Sequence, residues 1–370
     1  MRNAKLTILS CILLYAGLMT LGSAIAASQG LVDKRSTTWE LIRKSRQKQP
    51  EQKTAANSKP SELLDKYAAT QDLLMKSFRI EYEETSESVG RYSTGPRSGV
   101  PLYTQKRYMY GRLCFDGEKS KWSDEIWGDF NHRERGLSRK GAVYRSWLWD
   151  GKRNFAFVRK RPGSDKPGLL VIDNKSPASP LQNVTVACGE YLMGYFRSSK
   201  RIDVVLRDAK SLRVRRNQDV IGGVSCYVID SQTEYNHYTI WIDSRHGYNI
   251  ARAEIRQEKH KRNGSYLPER HIVLENVRFE RIGQVWVPME ADIREDENQP
   301  NGDFRQLKEH HERLEVLLNP DHQILGSFKT DDIENGTKVY IAPGKTPYIW
   351  QDGRVVDQQG SPVSLGSEEP

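Results

Sequence analysis

The sequence has little cysteine. Four occur in 370 residues and no two form a Cys-x-x-Cys pair, so neither a finger-type zinc site nor a thioredoxin-type redox centre is encoded. Catalytic signatures are missing as well. There is no Gly-x-Ser-x-Gly, and Gly136-Leu137-Ser138 sits in GLSRKG with the wrong spacing. Gly344-Lys345-Thr346 lacks the upstream glycine of a phosphate-binding loop, because Val339 stands there and Pro343 precedes the pair. His311-Glu312 is not followed by a second histidine at metalloprotease spacing. No repeat of solenoid period runs through the chain, and no aromatic-basic signature of an RNA-binding sheet is present. These absences argue against an enzyme, a cofactor and a nucleic-acid partner.

The N-terminus carries a strong pattern. Arg2 and Lys5 precede an apolar stretch from Leu6 to Leu21, and Ala24-Ile25-Ala26 supplies the small residues of a cleavage site. This predicts a secretory signal peptide over residues 1–26 and a periplasmic or extracellular protein. An uncleaved anchor is the alternative, since the run is near the lower length limit for spanning a bilayer. Cys11 falls too early in the run to be a lipoprotein cysteine. Without Arg2 and Lys5, 55 basic residues face 48 acidic ones, a net charge of +7. The basic residues are spread among acids, as on a solvated surface; attraction to anionic headgroups or acidic polysaccharide is the specific alternative. Cys114, Cys188 and Cys226 remain, which allows one disulfide with a free thiol, or buried unpaired thiols.

Residues 27–60 are polar and basic, too poor in apolar groups to offset the entropy of ordering, and read as a flexible tether. Within them Thr37-Thr38-Trp39-Glu40 has capping-box spacing for a short helix. Pro60-Ser61-Glu62 is a helix start, and Leu63, Leu64, Tyr67, Gln71 and Leu74 recur at helical spacing up to about Lys76. From Phe78 the period changes to alternation and the composition turns to Tyr, Trp, Ile and Val. Strands are predicted for FRIEYEETSES, RYMYGRLCF, KSKWSDEIWG, YRSWLW, NFAFVRK and GLLVID, with Asp116-Gly117 and Asp150-Gly151 at turns. Residues 187–207 fit two short helices with a break near Ser198-Ser199.

The stretch from Tyr238 to Arg294 reads as four consecutive strands. Tyr238, Ile240 and Ile242 share one face, with Thr239, Trp241 and Asp243 on the other, and Gly247 supplies the positive φ of the following turn. On the return strand Ala251, Ala253 and Ile255 oppose Arg252, Glu254 and Arg256. Val285, Val287, Met289, Ala291 and Ile293 oppose Trp286, Glu290, Asp292 and Arg294. The pattern predicts an antiparallel sheet of about ten strands with one core face and one wet face. DFRQLKEHHERLEVLL reads as a further strand that is polar at its start. His310 and His311 then point to opposite faces and cannot share a metal. The acidic run Arg294 to Asp303 fails the spacing of a calcium loop and reads as solvated. The basic loop Lys259 to Asn263 reads as a soluble hairpin tip, with contact to phosphate headgroups as the alternative. Trp122, Trp127, Trp147, Trp149, Trp241 and Trp286 read as core or helix cover, with a sugar-binding platform as the alternative. Past Pro320, Asp352-Gly353 predicts a short hairpin, and the last ten residues a disordered tail.

Three local features occur in order: Gly223 to Ile229; Tyr238 to Ile242 followed by Asp243 and the turn ending at Gly247; and Phe279 to Ile282 with Gly283 and Val285-Trp286-Val287-Pro288. Over roughly Ser61 to Pro320 this arrangement resembles the LolA-like family of outer-membrane lipoprotein-sorting and periplasmic lipoprotein-binding proteins. The resemblance implies an α+β fold, a strongly curved antiparallel sheet forming an incomplete barrel, with helices covering a concave side that accepts acyl chains. The expected organisation is a signal peptide (1–26), a tether (27–60), the curved-sheet domain (61–320) and a C-terminal hairpin extension with its tail (321–370). The expected function is a non-enzymatic binding protein holding a lipoprotein acyl chain or another hydrophobic ligand. Tyr238, Ile240, Ile242, Val287, Met289 and Ile293 are the candidate lining. A cell-envelope structural or interaction protein, which meets a membrane or envelope partner through exposed aromatics, is the alternative, and an exported hydrolase is a third reading.

Overall fold

The computed structural model describes residues 58–91, 102–129, 142–160, 167–175, 181, 190–196, 198–262, 265–344 and 346–365. The stretch predicted as a signal peptide (1–26), the predicted tether up to residue 57, Cys188 and residues 366–370 lie outside the described residues.

Helix α1 spans Pro60–Leu74, with Pro60 at its start and Glu62 in the first turn, where a carboxylate meets the free N–H groups. All five residues at the predicted helical spacing, Leu63, Leu64, Tyr67, Gln71 and Leu74, are buried. The chain then becomes almost wholly strand. β1 (Phe78–Arg91), β2 (Tyr103–Phe115), β3 (Ser120–Asp129), β4 (Val143–Trp149), β5 (Asn154–Lys160) and β6 (Leu169–Asp173) form an antiparallel meander. A 3-10 turn (Glu190–Met193) and helix α2 (Ile202–Arg207) follow, as the two predicted short helices. Next come β7 (Ser211–Val214), β8 (Asp219–Ile221), β9 (Val224–Gln232), β10 (Asn236–Asp243) and β11 (Asn249–Gln257). β12 (His260–Arg262) and β13 (Ser265–Leu267) make a separate two-stranded sheet, so the basic loop is itself a hairpin. β14 (Glu269–Ile282), β15 (Val285–Asn298) and β16 (Phe304–Leu318) are long, and β17 (Lys338–Ile341), β18 (Pro347–Gln351) and β19 (Arg354–Val356) close the sequence.

Seventeen of these strands belong to one sheet, well above the ten or so expected. Its spatial order is β19-β18-β17-β6-β5-β4-β3-β2-β1-β16-β15-β14-β11-β10-β9, with β7 and β8 both pairing along β9. The β1–β16 pairing joins the two meanders at the centre, with Phe78 opposite Leu318 and Arg91 opposite Phe304. Among the described residues the one parallel pairing is β6 with β17. β19 does not pair with the β7 and β8 edge, so the sheet is open among the described residues.

The predicted C-terminal hairpin is present, turning at Asp352 and Gly353. Through β17 it also extends the main sheet. Ile333, Val339, Trp350 and Val355 share a core cluster with Leu148, Phe155, Phe157, Leu170 and Ile172. Residues 361–365, expected in the disordered tail, are held to it: the Val363 N–H donates to Val355 O at 3.0 Å, and Val363 and Leu365 pack on the same cluster.

Two other clusters fill the covered face of the rest of the sheet. In the first, Leu63, Leu64 and Tyr67 of α1, Tyr191, Leu192 and Phe196 around the 3-10 turn, and Ile202 and Leu206 of α2 pack on β9, β10, β11, β14 and β15. In the second, Leu74, Met75 and Met193 pack on Phe78, Ile80, Tyr82, Met109, Leu113 and Trp122. Gly111 lies under the Tyr82 ring, where a Cβ would fall within 2.1 Å of the Tyr82 hydroxyl.

Two expectations are corrected, a purely wet opposite face and a solvated acidic run. Trp241 and Asp243 are buried, and Trp241 packs with Cys226, Val228 and Ala251 in a small fourth cluster beneath Ile221 and Phe279. The bulge between Trp241 and Ile242 moves Ala251 into this cluster, while Ile250 joins Ala253 and Ile255 in the first. The run from Arg294 to Asn298 is part of β15, not a loop, and Glu295 within it is fully buried.

Candidate functional site

The six candidate lining residues are all buried. Tyr238, Ile240, Ile242 and Ile293 lie in the first cluster, under α1, the 3-10 turn and α2. Val287 and Met289 lie in the second, beside Phe78 and Tyr82. They therefore share one side of the sheet but fall in two separate packed clusters.

α1 is fixed over this surface by polar contacts along its length: Asp65 pairs with Arg207 and Asp72 with Arg201, each at 2.7 Å, and Lys66 Nζ donates to the Tyr248 hydroxyl at 3.2 Å. Thr70 Oγ1 donates to Gly247 O at 2.5 Å, and Gln71 Nε2 donates to Asn249 Oδ1 at 2.8 Å. Asn249 Nδ2 in turn donates to His246 O and to Trp286 O, tying the β10–β11 turn to β15. Asp243 holds that turn by accepting from the N–H groups of Arg245 and His246 and pairing with His246 Nδ1 at 2.5 Å. The Asp-Gly region that looked like a plain turn is thus the clamp between helix and sheet.

Between the apolar columns the covered face carries buried charge. Arg107 Nη2 bonds Glu84 Oε1 at 2.5 Å and lies 3.7 Å from Glu309. His311 stands between the same two glutamates, 3.8 Å from Glu84 and 3.4 Å from Glu309. Burial alone would lower the affinity of His311 for a proton, but the charge of Glu84 and the Glu309 contact outweigh it and the imidazole pKa is raised. One strand further on, Asp124 receives a two-pronged bond from Arg145 at 2.8 and 2.5 Å. At the end of β15, Glu295 is held by Arg270 at 3.0 Å, Arg305 at 2.9 Å and the Tyr191 hydroxyl at 3.3 Å.

Arg313 differs from all of these. It is 4% exposed and donates from Nη1 to Pro288 O at 2.9 Å, yet no carboxylate pairs with it among the described residues. It sits opposite Tyr82 in the β1–β16 register, at the edge of the second apolar cluster. Burial without a counter-charge pushes its guanidinium pKa down to about 9. An uncompensated buried cation costs several kcal/mol, so this position is one where a bound anion would gain most.

Sequence reasoning did not single out Arg313, Glu84 or Glu295. Each lies in a polar-looking segment, and only the strand register reveals which alternate residues face inward. The opposite-face reading of the histidine pair does describe the structure: His310 meets Asp292 at 2.8 Å on the open face, while His311 is buried. No metal-binding group of His, Cys, Asp and Glu occurs among the described residues. Cys114 and Cys226 are free, buried thiols; burial pushes Cys226 up to about 12 and raises Cys114 as well. Both are therefore poor nucleophiles.

No family model and no curated protein matches the sequence. Among solved structures, the chain is similar to the ywiB protein from Bacillus subtilis, with 8% identity over 64% of this chain and 92% of that one and a TM-score of 0.15. It is also similar to a chain of the Pseudomonas aeruginosa MucA/MucB complex, with 7% identity over 71% and 100% and a TM-score of 0.21. A mutant Rh. blastica porin matches with 7% identity over 64% and 99% and a TM-score of 0.18. Likenesses this distant carry no argument about function.

Proposed function

We propose that the chain is an exported, non-enzymatic binding protein of LolA-like type that holds a lipoprotein acyl chain, or another hydrophobic ligand with an anionic or strongly polar head, between the sheet and its helices. The observation that carries this reading is Arg313, a buried guanidinium with no carboxylate partner among the described residues, beside the apolar cluster containing Val287 and Met289. The hydrocarbon part gains from burial against that cluster at roughly 25 cal/mol per Å2. The head gains a charge-assisted bond in a low-dielectric setting. α1, the 3-10 turn and α2 are the cover over this face. The test is displacement of a fluorescent fatty acid from the purified chain. Saturable binding that Arg313→Met weakens supports the reading, and no saturable binding overturns it.

A second reading, an envelope interaction protein, is favoured by the β12–β13 hairpin. Tyr266 is 58% exposed there and flanked by Lys259 and Lys261, whose ammonium groups lie 5.7 and 5.6 Å from its ring. Such a basic aromatic tip suits an anionic surface. Vesicle sedimentation with and without anionic lipid separates this role from ligand carriage.

A further inference from the structure

The open face of the sheet, away from the helices, holds a cleft of about 490 Å3, within the range of small-ligand sites. It crosses β2, β1, β16, β15 and β14, four strand spacings or about 19 Å. The register explains why it is there. Tyr108, Thr85, His310 and Asp292 stand side by side in one cross-strand row, and Thr85 is the one small side chain between three larger ones. In the next row Lys106, Glu87, Lys308 and Arg294 line up in the same way.

The chemistry of the lining is mixed. Lys106 faces Glu87 at 3.5 Å, Arg294 bonds Glu275 at 2.9 Å, and His310 bonds Asp292 at 2.8 Å. A hydrocarbon here would strip water from two ion pairs and from the His310–Asp292 bond without replacing it. A small inorganic anion would meet Glu87, Glu275 and Asp292 at close range. What remains is a ligand with many hydroxyl groups, each able to donate to a carboxylate and accept from a cation, and with a flat apolar face. The aromatic end fits that face: Tyr108 is backed by Trp127, with ring centroids 6.2 Å apart and planes within 10°, so the Tyr108 ring is held in place as a platform. One charge is left over. Lys308 has no ion-pair partner among the described residues, although its row neighbours Lys106 and Arg294 are paired.

We infer that this cleft binds a short acidic oligosaccharide, one sugar stacking on Tyr108 and a sugar carboxylate pairing with Lys308. The site is on the opposite face from the hydrophobic ligand and does not depend on it. It would hold the protein to an acidic glycan of the cell surface while the covered face remains free.

The test is calorimetric titration of the purified chain with trigalacturonate, with the neutral trimer of N-acetylglucosamine, and with inorganic phosphate. Trigalacturonate is expected to bind, and Tyr108→Ala and Lys308→Ala each to weaken it about tenfold. Tyr108→Phe, which keeps the ring, is expected to retain most of the affinity. The neutral trimer is expected to bind more weakly and to ignore Lys308→Ala. Fatty-acid binding is expected to be unchanged in all three variants, which also shows that they fold. Absence of trigalacturonate binding overturns the inference. So does binding indifferent to both alanine substitutions, or full competition by phosphate, which would mark an adventitious ion only.

Discussion

Gln71 on α1 and Asn249 on β11 share a buried hydrogen bond of 2.8 Å across 178 residues of sequence. Asn249 accepts that bond at Oδ1 and donates both Nδ2 N–H groups, to His246 O and Trp286 O, so one carboxamide joins the helix, a turn and a second strand. Removing it strands three polar partners at once. Asn249→Ala is expected to lower the unfolding free energy by about 2–3 kcal/mol, read by urea denaturation. Thr70→Val, which loses a bond to Gly247 O nearer the surface, is expected to cost about 1 kcal/mol.

Arg313 is expected to separate stability from binding. Its charge is buried and has only a carbonyl partner, so an apolar replacement of similar length relieves desolvation. Arg313→Met should leave the ligand-free melting temperature unchanged or raise it, while weakening binding of a long-chain fatty acid at least about tenfold. A large loss of stability in the ligand-free variant would show that the arginine is purely structural.

His311 gives the protein a pH-dependent element. The imidazole is fully buried between Glu84 and Glu309, and its pKa is raised above the ordinary 6.5 because those carboxylates outweigh the opposing effect of burial. The folded state therefore holds the proton more tightly than the unfolded chain. That stabilisation is fully present below about pH 6.5 and is lost as pH rises through the folded-state value. Thermal melts of the wild type from about pH 5.5 to about 8.5 should fall more steeply with pH than those of His311→Gln. Parallel curves would remove the histidine from the account.

The sheet needs its last strands. β17 pairs with β6, and Ile333, Val339, Trp350 and Val355 cover Phe155, Phe157, Leu170 and Ile172. A chain ending at residue 320 would expose that apolar cluster and leave β6 as a free edge. It is expected to be insoluble, or destabilised by more than about 3 kcal/mol, as judged by expression and urea denaturation.

The parts of this fold legible in the sequence are those set by local period. Leu63, Leu64, Tyr67, Gln71 and Leu74 announced one helix face, and Val287, Met289, Ala291 and Ile293 announced one strand face, because side-chain direction repeats every 3.6 or 2 residues. The parts that were hidden depend on a second layer or a distant strand. Nothing local says that Asp219 will receive the Trp241 indole at 2.9 Å and help bury that ring. Nothing local says that β17 will find β6, a pairing across well over a hundred residues. The charged centre of the covered face was hidden for a related reason. Glu84 lies in EETSES and His311 in KEHHER, segments whose polarity is the same on both faces, so alternation offers no contrast from which to read burial.

The same limit applies to the candidate site. The burial of the six candidate residues could be read from the alternation of β10 and β15, whereas Arg313 stands one bulge away from Val316 on β16, opposite the irregularity at Glu81 and Tyr82. That irregularity decides which face the guanidinium takes.

The most direct test of the central claim is native mass spectrometry of the chain purified from its native host, before and after mild organic extraction. The account predicts an adduct with the mass of an acylated, anionic or polar-headed lipid, removed by extraction, restored by adding a long-chain fatty acid, and weakened in Arg313→Met. A chain that carries no lipid before extraction and takes up none afterwards would contradict it.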